Sequence, residues 1–88
     1  MGFEATLVRW PGEAAWVFAP VPEEHAPDVA GPFGRVPVVA TVDGLTWTTS
    51  VWQDKNAGWL LPVPRKVRRG KDDGDVVRVE IEVDPSRM

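Results

Sequence analysis

Eighty-eight residues with a formal charge of −3, no cysteine and one histidine exclude disulfides, thiolate metal sites and a histidine metal cluster. A chain of this length makes one domain, residues 1–88, that buries only ~60% of its unfolded surface, so stability must come from tight packing of its five Trp, three Phe and many Val. The acidic balance argues against a dedicated nucleic-acid binder, which carries a basic excess or one dominant basic face.

No segment approaches the ~20 apolar residues of a membrane helix, and the first residues lack the basic region and apolar run of a signal peptide, so a cytoplasmic protein without membrane contact is expected. Met1-Gly2 with Thr6 matches the myristoylation pattern, but Phe3 to Leu7 reads as a strand and the match is taken as coincidence.

In chain order the dominant period is two. Phe3, Ala5 and Leu7 alternate with Glu4 and Thr6, predicting a half-buried strand that ends before the Pro11-Gly12 turn. Ala15 to Ala19 predicts a second, more continuously apolar strand. Pro22 to Ala30 allows a helical turn with Glu23 and Glu24 at its start, cut short by Pro27. RVPVVATV and LTWTTSVW follow, joined by Asp43-Gly44, a two-residue hairpin signal because a type I′ turn needs positive φ at both central positions. That turn sets the register: Val42 opposite Leu45, Ala40 opposite Trp47, Val38 opposite Thr49 and Val36 opposite Val51. One face is then apolar, and the other carries Thr41, Thr46, Thr48 and Ser50. Pro37, lacking an N–H, places its strand at an edge or at its own beginning. Pro64 to Arg69 predicts a second helical turn, with Pro64 near its first position and Gly70 as its stop. In the last strand Val77, Val79, Ile81 and Val83 point inward and Arg78, Glu80 and Glu82 outward.

The two halves share a pattern. Pro20-Val21-Pro22 recurs as Pro62-Val63-Pro64 at an offset of 42 residues, and Val36-x-Val38-x-Ala40-x-Val42-Asp43 recurs as Val77-x-Val79-x-Ile81-x-Val83-Asp84 at an offset of 41. Order and spacing together point to an internal duplication, each unit running strand, Pro-Val-Pro, short helical turn, loop, alternating strand. The fold class expected is all-β: a small closed or split β-barrel with one or two short helical turns.

The segments LPVPRKVRRGKDDGDVVRVEIEVD and VPVVATVDGLTWTTSVW resemble the bacterial family called domain of unknown function 1905. The likeness covers nearly the whole chain: an aromatic strand before a proline, a Val-x-Val strand to a Gly turn, a Thr/Ser-containing strand, Leu-Pro, a basic turn, then Gly-Asp and a Val-rich strand. The last segment is also similar to the Pro, basic turn, Gly-Asp, Val-x-Val signature of the swapped-hairpin barrels of AbrB-type regulators and MazE-type antitoxins. The resemblance implies a small closed or split barrel and no established activity. The chain departs from the pattern after Ser50, where Val51-Trp52-Gln53-Asp54-Lys55-Asn56 replaces a Met/Pro-containing segment, so specificity borne by that loop does not carry over.

Two sets of candidate site residues emerge. Thr48, Ser50 and Trp52 combine a hydroxyl-bearing strand face with an aromatic at the start of a polar loop, an arrangement that can line a ligand site at a barrel mouth. Trp16, Trp47 and Trp59 are assigned to the core instead. Arg65, Lys66, Arg68 and Arg69 form, with Lys71, a basic turn that could hold an anion. The structural reading of that turn is preferred: Arg68 and Arg69 offset the negative helix end, and the acids of Lys71-Asp72-Asp73-Gly74-Asp75 cancel much of the field. His25 is read as a surface residue, and Thr49 and Ser50 lack an identifiable base. No catalytic, cofactor or metal residues are assigned. The expected function is a non-enzymatic, monomeric binding module for a small molecule or a protein partner. The alternatives are anion or nucleic-acid binding through residues 65–71, and an enzyme whose catalytic constellation the sequence does not reveal.

Overall fold

A computed structural model describes residues 2–11, 16–27 and 34–87. Seven strands form one antiparallel sheet: β1 (Phe3–Thr6), β2 (Val8–Arg9), β3 (Val17–Val21), β4 (Arg35–Val42), β5 (Leu45–Asp54), β6 (Gly58–Pro62) and β7 (Val76–Val83). Their order is β1-β7-β4-β5-β6-β3-β2. Because β1 and β2 are successive pieces of one extended segment, the first strand pairs with β7 through Phe3–Thr6 and with β3 through Val8–Arg9, and the sheet rolls into a nearly closed barrel. The described residues also include a helical turn, α1 (Arg65–Arg68), and 3₁₀ turns at Glu23–His25 and Pro85–Arg87. Among the described residues no helix is long and apolar enough to cross a membrane.

The core is what alternation dictates. Phe3, Ala5, Leu7, Val36, Val38, Ala40, Val42, Val77 and Val79 are all buried inside the barrel, with Val17, Ala19, Val21, Leu61 and Val63 from the opposite wall. Ile81 and Val83 are only partly buried, because β7 runs out past the end of the core. The Asp43-Gly44 turn has φ of 47° and 86°, the left-handed pair of a type I′ turn, and the β4–β5 register is the one that turn predicts, from Val42↔Leu45 to Val36↔Val51.

Several sequence expectations are corrected. The strand expected at Ala15 to Ala19 runs from Val17 to Val21; Ala15 lies outside the described residues. Only Glu23–His25 of the expected first helical turn is helical, and the reading of residues 28–30 also lies outside the described residues. The second helical turn does form where expected, as α1, with Pro64 the extended residue just before it and Arg69, at φ 49°, followed by Gly70, at φ 90°, ending it. Pro37 is not on an edge strand, since β4 lies between β7 and β5. Its carbonyl accepts from Asp84 N at 2.9 Å, just beyond the last β4–β7 pair Val38↔Val83, so the N–H it lacks falls where that ladder stops. Trp16 is 47% exposed and is no core residue: it shares a face with Phe18, outside the barrel, and stacks on it at 5.8 Å. His25 is half-buried rather than a plain surface residue, its ring 4.8 Å from that of Phe3.

The repeated units meet about an approximate two-fold axis. β4 pairs with β7 symmetrically about Ala40↔Ile81, and β3 pairs with β6 symmetrically about Ala19↔Leu61. These central pairs are separated by 41 and 42 residues, the two offsets of the sequence repeat. The remaining strand partners also correspond under the two-fold: the β1–β2 segment pairs with β7 then β3, and β5 pairs with β4 then β6. Each Pro-Val-Pro therefore occupies an equivalent place, with an equivalent effect on the sheet.

Candidate functional site

Each Pro-Val-Pro opens a gap in the barrel wall. A residue in a strand turns its N–H and C=O to the same side, and successive residues alternate. Val63 N donates to Val17 O at 3.0 Å, so residues 59, 61 and 63 address β3, and 60, 62 and 64 address β5. The β5–β6 ladder begins as Asp54↔Gly58, Gln53↔Trp59 and Trp52↔Leu60, then stops. Continued by two residues, it would set Ser50 against Pro62, and by two more, Thr48 against Pro64. Neither proline has an N–H to donate, so the ladder cannot continue. The same reasoning accounts for the unsealed seam between β1 and β3, where Thr6 and Glu4 would meet Pro20 and Pro22. Across that seam the rings of Phe3 and His25 lie in contact. The β5–β6 gap is a groove of about 1170 Å³.

The groove joins both sets of candidate residues. Thr48, Ser50 and Trp52 line it from β5, and Arg65, Lys66 and Arg68 line it from α1. Arg69 does not line it. That side chain turns away to donate to Asp43 O at 2.5 Å, tying α1 to the β4–β5 hairpin. Lys71 reaches the same turn, donating to Asp43 Oδ2 at 2.9 Å and to Val76 O at 2.8 Å. Arg78 N also donates to Asp43 Oδ1 at 2.9 Å. The Arg78 N–H and then the Lys71 ammonium hold the Asp43 carboxyl below its ordinary value.

Three groove residues that sequence reasoning did not assign are basic: Arg9, Arg35 and Arg87. With Arg65, Lys66, Arg68 and Lys71, seven of the chain's ten basic residues line one space, and Asp72 is the one carboxylate lining it among the described residues. Of the α1 cations, Arg68 alone pairs with an acid of the 72–75 turn among the described residues. Asp72 is engaged by Arg9, through Nε at 2.9 Å and through Nη2. The Arg9 hydrogen bond, then the Asp73 N–H, draws the Asp72 pKa down to about 2. Asp73 Oδ1 accepts from Arg9 N at 2.8 Å, and Asp75 Oδ2 accepts from Asp72 N at 2.8 Å. Arg68 lies 3.8 Å from Asp72, while Arg65 and Lys66 form no ion pair among the described residues. Arg68 Nε is buried without a hydrogen-bond partner among the described residues.

At one end of the groove stands an aromatic cluster. Trp16 and Trp52 lie 5.8 Å apart and both contact Phe18, whose ring is also 4.9 Å from that of Trp10. The Arg35 guanidinium sits 5.0 Å from the centre of the Trp52 ring. This contact was within reach of the sequence, because the register set by Asp43-Gly44 runs on to Arg35↔Trp52. Arg87 carried no comparable signal: it follows β7 in a 3₁₀ turn, bonds Asp84 Oδ2 at 2.8 Å, and donates Nη2 to Val38 O at 2.7 Å and Thr49 O at 3.1 Å.

Residues 3–81 match the model of a family described as "Domain of unknown function (DUF1905)". No curated protein matches the chain.

Proposed function

The chain belongs to the DUF1905 family, whose description carries no activity, and from the β5–β6 groove we propose that it is a non-enzymatic binding module for an anionic partner. The observation that supports this reading is the convergence of seven basic side chains and one carboxylate on one groove in a chain whose formal charge is −3. Arg65 and Lys66 have no acidic partner among the described residues, so their charge is available to an anion in the groove. Thr48 and Ser50 supply hydroxyls, and Trp52 with Trp16 supplies an aromatic wall at one end. An enzyme would need a base or nucleophile in the groove. Lys and Arg dominate there, and the hydroxyls of Thr48, Thr49 and Ser50 have no histidine or free carboxylate near them among the described residues. Duplex DNA is disfavoured by the two-fold itself: the place that α1 takes in the second unit is taken by Glu23–His25 in the first, so the basic face is one-sided. A cytoplasmic setting and a monomeric state belong to the same proposal.

Inorganic tripolyphosphate tests the reading. Titrated by NMR, it should shift the amides of Thr48, Ser50, Arg65, Lys66 and Arg68, with an affinity that weakens as salt rises. The double variant Arg65→Glu, Lys66→Glu, both exposed, should fold normally and lose the response. Shifts centred elsewhere, or an unaltered response in the variant, would remove the groove as the site.

A further inference from the structure

The groove runs along an edge. Trp47, Thr48, Thr49 and Ser50 are four consecutive residues of β5, and all four line it. Side chains alternate between the faces of a strand, so a space bordered by all four borders the backbone between them. Asp84 N bonds Pro37 O, so Pro37, Val39 and Thr41 address β7, and Val36, Val38, Ala40 and Val42 address β5. Their partners Val51, Thr49, Trp47 and Leu45 are thereby used. Thr46, Thr48 and Ser50 turn their N–H and C=O groups the other way, where β6 has no pairing with them, and Thr48 and Ser50 turn theirs into the groove. Exposed edges of this kind template a further strand, and proteins commonly guard them with an inward charge, a bulge or a covering element. Here the facing wall is Pro62-Val63-Pro64, whose prolines cannot close the gap.

Resting on the reading of the groove as an anion site, we propose that its occupant is an acidic segment of a partner protein, bound extended as an added strand on β5. Backbone groups of Thr46, Thr48 and Ser50 provide the ladder, and Arg65, Lys66 and Arg68 select acidic side chains. Other occupants fit less well. A second copy on the same edge would bring two basic grooves face to face. A nucleic-acid strand would satisfy the cations but has no alternating amide N–H and C=O to match β5.

The test uses a fluorescent, end-blocked hexapeptide of alternating Glu and Val, read by anisotropy. Two further peptides carry N-methyl groups on alternate residues, one in each phase. An added strand presents one edge to β5, so one phase should weaken binding at least tenfold and the other much less. The amides of Thr46, Thr48 and Ser50 should gain hydrogen-exchange protection when the parent peptide binds. Arg65→Glu, Lys66→Glu should weaken the parent at least tenfold, with its thermal melt confirming the fold. Equal binding of all three peptides would mean that charge alone acts, overturning strand addition while leaving the anion site standing. Tripolyphosphate or a decathymidylate binding where the peptides do not would overturn the peptide occupant alone. A dimer through β5 that the peptide does not dissociate would replace it with a second copy. Failure of peptide and tripolyphosphate together would remove the anion reading and this inference with it.

Discussion

At the scale of single residues, conformation and charge are settled by a few positions with no substitute. Gly44 sits at φ 86° in the type I′ turn, and a Cβ there would meet nothing within 4 Å. The cost of a side chain is therefore conformational, and Gly44→Val should destabilise the protein by about 1–2 kcal/mol; an unchanged urea midpoint would count against the turn. Asp43 beside it, Asp72 on Arg9, and Asp84, bonded by Ser86 and then Arg87, all hold pKa values below the ordinary carboxylate range. A carboxyl depressed in the folded state stabilises fully above its unfolded value, ~3.9, and ceases to do so as pH falls through the folded one. Thermal melts should thus be flat above about pH 5 and drop between about pH 4 and pH 2. Asp43→Asn should make that drop shallower; an identical profile would mean that Asp43 titrates alike in both states.

For the elements, alternation explains what is inside and proline explains where pairing stops. β7 shows the first rule with an end effect: Val79 is fully buried, whereas Ile81 is partly covered and Glu80 exposed. Ile81→Ala should accordingly cost about 2 kcal/mol, the lower end for such a truncation, and Glu80→Ala less than about 0.5 kcal/mol. Similar losses from both, measured by chemical denaturation, would show that the strand is turned over. The second rule was only half legible. The recurrence of Pro-Val-Pro is plain in the chain, yet its effect depends on which way each proline's nitrogen points, and that is decided by a long-range bond, Val63 N to Val17 O. Reading the motif as a marker of repetition missed its physical action, which is to break a ladder on one side of a strand while leaving the other side intact.

For the whole molecule, the approximate two-fold lets one chain close its own barrel. The pairings of equivalent strands, β4 with β7 and β3 with β6, form within one chain, so no second chain is required to satisfy those strand edges. Light scattering at micromolar concentration should give a mass near 9.7 kDa; a stable species of about twice that mass, formed by exchange of hairpins, would overturn the monomeric reading.

What the sequence determined by itself was everything carried by local period and turn chemistry. The inward residues of β1, β4 and β7, the β4–β5 register and the all-β class follow from alternation and from one Asp-Gly pair, since side-chain direction and turn geometry are set over a few neighbouring residues. Trp16 was misplaced because a tryptophan before an apolar strand looks the same whether its face turns inward or outward. The groove was decided only by the tertiary structure. Thr48, Ser50 and Trp52 were legible as one face and Arg65, Lys66 and Arg68 as one turn, but their meeting requires the barrel to close, and Arg9, Arg35 and Arg87 reach them from three separate points of the chain. Charge adds by distance in space rather than along the chain. A sequence that is acidic in sum could therefore not disclose that its folding gathers most of its cations on one open strand edge.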